Sequence, residues 1–221
     1  MTEPAVTLTD YALAIECAVF VVALSRLSAR DKELCFWFVV FFASIGTASV
    51  LGGTVHGFFL AASSPGRRIL WPATILAILV TSLAAWNIGA VLKLDERKLA
   101  LVRRLALAQL MILALVVLFV TSKFYVGIIA YLPSALFLLY AMLTTYRLRP
   151  DRGIRWGVTG LALTLVAAVV QQARVGIHPV YFNHNALYHV IQGAALGMIF
   201  LAARSISLAW PPFRRSHDIK T

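Results

Sequence analysis

Seven long apolar runs, separated by short connections that carry most of the charge, constrain this chain more than anything else in it. At about 20 apolar residues per crossing, the runs fall at roughly 10–29, 33–62, 69–92, 104–122, 124–146, 155–174 and 185–208. None has the alternation of a strand, and only helices or closed barrels satisfy their backbone inside lipid. The expected fold is therefore all-α: one polytopic bundle of seven transmembrane helices spanning residues 1–221 as a single domain. Composition agrees, with 61% hydrophobic residues, 13% charged residues and a mean hydropathy of +0.84. A soluble domain is nearer half apolar and a quarter charged. Short connections favour sequential helices as antiparallel neighbours.

The formal net charge is +11. In a soluble protein that would point to nucleic acid. Here the cations sit between apolar runs, which points to topogenic charge and anionic lipid headgroups instead. All 20 Lys and Arg except Arg67, Arg68, Lys123 and Arg174 lie in alternate connections and the C-terminal tail. The positive-inside rule then predicts an outside N-terminus and a cytoplasmic C-terminus, in a bacterial-type inner (plasma) membrane. The opening MTEPAVTLTD lacks a basic n-region, so the first run is expected to be retained rather than cleaved. Cys17 and Cys35 lie on different runs and are expected to be buried free thiols.

With this orientation a polar layer forms near the outer end of the bundle. Asp10 opens the first run, and Glu16 lies about 9 Å deeper at 1.5 Å per residue. His56, in GGTVHGFF, lies about 9 Å from the outer end of the second run, and His189 about 6 Å inside the seventh. Gln171 and Gln172 end the sixth run at the same level. The stretch HPVYFNHNALYHVIQG, residues 178–193, adds His184, Asn185 and Gln192. Ionisable groups inside a membrane face the bundle interior and pair with one another. Asp10 and Glu16 are candidate bases or proton carriers. His56, His184 and His189 are candidate metal ligands, with Asn185, Gln192 and Gln171 supporting them. His184 and His189 are about 140° apart on an ideal helix, so both reach one metal only if His184 precedes the regular turns, capped by Asn183 or Asn185.

Other features have plainer readings. Gly46, Gly52, Gly53 and Gly57, and the Gly193–Gly197 pair, allow close helix approach. Pro72 and Pro133 are placed near helix starts, with a kink expected at Pro133. Pro179 and His178 belong to the loop before the seventh helix, and His217 to the tail. Trp71, Tyr125, Tyr181 and Trp210 are expected at the membrane interfaces, and Lys123 at a headgroup. No mid-helix lysine on the seventh run can hold a retinal Schiff base. No internal repeat suggests an inverted-repeat transporter.

Seven helices, a histidine ending helix two, and an xLYHV opening to helix seven resemble the membrane hydrolases that include alkaline ceramidases, progestin/adiponectin receptors and haemolysin III-like proteins. That resemblance implies a zinc site hydrolysing a lipid amide, with His56 and His189 matching two of the three histidine ligands. Asn185 stands where the first helix-seven histidine would be, Gly52 replaces the serine, and Arg67 and Arg68 occupy the region of the aspartate. Zinc would lower the pKa of a bound water to about 7, and Asp10 or Glu16 would then serve as base. Two other classes compete with it. One is a haem protein with His56 and His189 as axial ligands. The other is a non-catalytic complex subunit or amphiphile-binding protein. Membrane lipids are the expected partners in each case, together with other membrane proteins or a second copy of the chain, and not nucleic acid.

Overall fold

The computed structural model describes residues 1–178 and 181–208; Pro179, Trp210 and His217 lie outside that set. Seven helices follow one another: α1 (Pro4–Ser25), α2 (Lys32–Phe58), α3 (Pro65–Lys93), α4 (Glu96–Phe119), α5 (Tyr125–Leu148), α6 (Arg152–Gln172) and α7 (His184–Leu208). All seven are long and apolar enough to cross a membrane, and the protein is a multi-pass membrane protein.

All the helices except α5 start earlier than their apolar runs do, because capping rather than hydropathy sets a helix end. Pro4 and Pro65 occupy the first turns of α1 and α3, where a missing N–H costs nothing. At the other end of the bundle Asp31, Asp95 and Asp151 cap α2, α4 and α6, each accepting a backbone N–H from the first turn. The N–H of Lys98 holds the exposed Asp95 carboxyl below the usual carboxylate range. Two expectations change as a result. Asp10 sits well inside α1 rather than at its mouth, and Pro72 lies inside α3 rather than at its start. Pro133 lies inside α5. One turn before it, the Ala130 carbonyl accepts from Ser82 Oγ at 2.8 Å and Gln109 Nε2 at 3.4 Å. Such side-chain donors re-satisfy carbonyls near a proline-interrupted ladder.

Six helices form a closed ring in the order α1–α2–α3–α5–α6–α7, with α7 returning to α1. The remaining helix, α4, packs outside the ring on α3 and α5. Its buried residues are only Leu99, Ala106 and Val117. Trp86 Nε1 fastens it by donating to Gln109 Oε1 at 2.9 Å, and Arg103 pairs with Glu33.

The ring is filled at one end only. Towards the end where α1 finishes and α2 begins, Phe38, Phe41, Phe42, Leu138, Met142 and Ile199 are fully buried. Phe20 stacks on Phe200 with centroids 4.3 Å apart and meets Phe42 edge-on. At the other end, where α1 starts (hereafter the amino end), the helices do not pack to the axis.

Glycines set the closest crossings. A Cβ at Gly160 would stand 2.7 Å from the Ala195 carbonyl oxygen, so α6 and α7 touch backbone to backbone. A Cβ at Gly52 would meet only Thr74 and Asp10, at 3.6 and 3.7 Å. Gly160→Ala should therefore destabilise the bundle by about 1–3 kcal/mol, as overpacking does, and Gly52→Ala should be close to neutral. Thermal melts of the two variants in one detergent check this contrast.

Candidate functional site: a polar-striped cavity within the ring

The amino half of the ring encloses a cavity of about 760 Å³, walled by α1, α2, α3, α5, α6 and α7. That volume is typical of sites for small organic ligands. Most of its wall is apolar, from residues such as Ile45, Ile78, Ile128 and Leu165. One stripe is polar. Asn185, Tyr188, His189 and Gln192 recur on α7 at spacings that share one helix face, and all four line the cavity. Over this stripe the polar surface extends about 10 Å along the helix axis.

His189 is fixed by α1. Its Nδ1 lies 3.1 Å from Thr9 Oγ1, and its Nε2 lies 3.3 Å from Asp10 Oδ1. Thr9 Oγ1 also lies 2.8 Å from the Ala5 carbonyl and 3.0 Å from the Val6 carbonyl. Its one proton is thereby spent on the helix backbone, so the hydroxyl accepts from His189 Nδ1–H. The Nε2 lone pair of a neutral imidazole would then face a carboxylate, two acceptors in contact. The contact is favourable when one proton lies between them, on Asp10 or on the ring. Asp10 and His189 therefore act as a unit that shares a proton at the cavity wall.

His56 is held differently. Its Nδ1 pairs with the Glu3 carboxylate, while the N–H groups of Thr2 and Glu3 donate to the carbonyls of Gly57 and His56 at 3.0 and 3.3 Å. The first residues of the chain thus form a strap across the end of α2. Trp71, expected as an interface anchor, also lines the cavity; it meets the His56 ring edge-on and donates to the Ser122 carbonyl at 2.9 Å.

Of the residues singled out in the sequence, Asp10, His56, His189, Gln171, Asn185 and Gln192 all line this one cavity. Gln171 donates to Asn185 Oδ1 at 3.3 Å. Two residues are placed elsewhere. Glu16 lies in the seam between α1 and α7, its carboxylate over Gly193 and Gly197, and it does not line the cavity. The Gly193–Gly197 notch leaves room there for a carboxylate. His184 begins α7, where Asn183 Oδ1 caps the helix by accepting from Asn185 and Ala186, and His184 is not part of the cavity wall. Tyr188, within the polar stretch 178–193, lines the cavity too. Glu3, Thr9 and Tyr131 also belong to the site or its support, and only a helical register spanning α1 and α7 would have signalled Thr9.

As arranged, these side chains do not fit a zinc ion. Among the described residues no three His, Cys, Asp or Glu side chains gather as a ligand set, and both nitrogens of His189 are engaged. A haem held between His56 and His189 meets the same obstacle at His189. Cys17 and Cys35 are free and buried.

The model of a family of unknown function (DUF6962) matches residues 5–208. The chain belongs to that family. No curated protein and no solved structure matches it significantly. The family's matched span covers all seven helices, and so both walls of the Asp10–His189 contact.

If one proton links Asp10 to His189, a neutral donor can replace the carboxyl. Asp10→Asn should retain most of the stability, whereas Asp10→Ala and His189→Ala should each lose about 1–2 kcal/mol, the upper range for interhelical hydrogen bonds in membranes. Unfolding of the three variants in mixed micelles gives the comparison.

Proposed function

We propose that this protein binds a small amphiphile in the cavity within its helix ring, with the Asp10–His189 unit and the α7 stripe receiving the polar part. The observation that carries this reading is the cavity itself. A polar layer that served only to fix helix packing would be packed solid; this one borders about 760 Å³ of space. Apolar wall and polar stripe together match a molecule with both characters. Access supports a membrane-dissolved ligand. Leu132 of α5 and Val169 of α6 line the cavity, yet are 42% and 66% exposed on the flank of the bundle. The wall is thus thin between α5 and α6 towards the amino end. The two helices are closely associated near their short connection at the other end, where Gly157 accommodates Met142.

The distribution of basic residues favours an inner (plasma) membrane orientation with the amino end, and hence the cavity, on the non-cytoplasmic side. A metal-dependent lipid hydrolase would use the same cavity, but His56 and His189 would have to exchange their present partners for the metal. Binding needs no such rearrangement.

Ala168 lines the cavity from α6, and Ala168→Phe would fill part of it. Protein purified from membranes should carry about one amphiphile per chain by native mass spectrometry. Ala168→Phe should lower that occupancy by about tenfold, a change of about 1.4 kcal/mol, and leave the melting temperature of the delipidated protein within a few degrees. Equal occupancy in both proteins would contradict the proposal.

A further inference from the structure

The hydrogen-bonding capacity left over on the cavity wall defines the head of the ligand. Gln192 is 5% exposed, and its orientation follows from its neighbour. Thr164 Oγ1 lies 3.2 Å from the Gly160 carbonyl, to which it donates, so at 3.4 Å from Gln192 Nε2 it can only accept. The amide nitrogen therefore points at Thr164. Gln192 Oε1 is left as a buried acceptor with no donor among the described residues. An acceptor left so in a protein interior costs about 1–3 kcal/mol.

Two phenols share the cavity wall with it. Tyr131 of α5 and Tyr188 of α7 both line the cavity, and Tyr188 lies within electrostatic reach of both Tyr131 and Asp10. Neither phenol makes a hydrogen bond to the described residues, whereas Tyr11, on α1 at the same end, bonds Thr54 at 3.0 Å. A phenol can donate and accept. The wall therefore offers one acceptor and two donor–acceptor groups with no protein partners.

Charge narrows the choice further. Among the described residues no Lys or Arg lines the cavity, and one shared proton makes the Asp10–His189 unit neutral or an internal ion pair. A phosphate or carboxylate head would meet no compensating cation along this wall, and desolvating its charge there costs more than hydrogen bonds to neutral groups return. An ether or ester could accept from the phenols but could give Gln192 Oε1 nothing. A hydroxyl does both.

We infer that the ligand is an uncharged single-chain lipid with a hydroxyl head, which accepts from Tyr131 or Tyr188 and donates to Gln192 Oε1. This rests on the amphiphile-binding reading above and specifies its head chemistry.

The test is equilibrium binding of tritiated dodecan-1-ol to the purified full-length protein in nanodiscs, competed by dodecyl methyl ether and by dodecanoate at about pH 9, where the acid is ionised. The alcohol should bind at least about tenfold more tightly than either competitor, the factor of about one buried hydrogen bond. Tyr131→Phe/Tyr188→Phe removes only two oxygens and should weaken alcohol and ether alike, by about tenfold, because both accept from the phenols. Gln192→Met removes the acceptor that only the alcohol can use, and should bring the alcohol to within about threefold of the ether while leaving ether binding unchanged, with circular dichroism melts confirming the fold. Equal binding of alcohol and ether, tighter binding of dodecanoate, unchanged alcohol binding in the double Tyr variant, or an alcohol preference that survives Gln192→Met would each overturn the inference. The Ala168→Phe variant separates the two levels of the proposal. If it abolishes binding of all three probes while they bind wild type equally, the cavity is a ligand site and only the head assignment fails. If none of the probes binds to wild type, and no amphiphile copurifies, the cavity reading fails with it.

Discussion

A polar side chain inside a bilayer has no water to turn to, so its partner must come from the protein. In this chain that requirement joins the first helix to the last. Thr9 and Asp10 on α1 occupy the two nitrogens of His189 on α7, and Glu16 lies over two glycines of the same helix. Those contacts complete a ring that short connections alone would leave open, since sequence neighbours pack by default whereas α1 and α7 are at opposite ends of the chain. With the ring closed, α4 is the surplus helix and packs outside.

Closure of the ring also explains why half of it is hollow. Where bulky aromatic and aliphatic residues meet, around Phe38, Phe41, Phe42 and Met142, the axis is filled. Nearer the amino end the inward positions include Ala48, Ser49, Gly52, Gly127 and Ala168. Six helices carrying such small residues cannot reach the axis without collapsing on the Asp10–His189 contact and the strap that ties Glu3 to His56. The same polar contacts that hold the ring open also supply the wall with its hydrogen-bonding groups. Structure and recognition are therefore served by one set of residues, and variants that disturb the site will affect stability too.

Much of this is legible in the chain before any coordinates. Seven apolar runs give seven helices, and the depth argument brings Asp10, His56, His189, Gln171, Asn185 and Gln192 to one cavity wall. Depth alone, however, says nothing about rotation about a helix axis. Glu16 and His184 share the level of the site and do not line it. Asp10 and Glu16 are six residues apart, about 120° away from sharing a face at 100° per residue, so one helix could not present both to the axis. His184 is lost for a similar reason: it falls in the first turn of α7, where Asn183 fixes the backbone. The strap formed by Glu3 was not readable because Glu3 precedes the apolar run.

All of this depends on there being space, and something to fill it, between Asp10 and His189 on one side and Ile128 and Leu132 on the other. A high-resolution cryo-EM map of the full-length protein, purified in lipid nanodiscs without detergent exchange, examines that volume directly. We expect continuous elongated density inside the ring, with its polar end within hydrogen-bonding distance of Tyr188 and Gln192. A map in which α5 and α6 close against α7, so that side chains alone occupy the ring axis, would contradict the account.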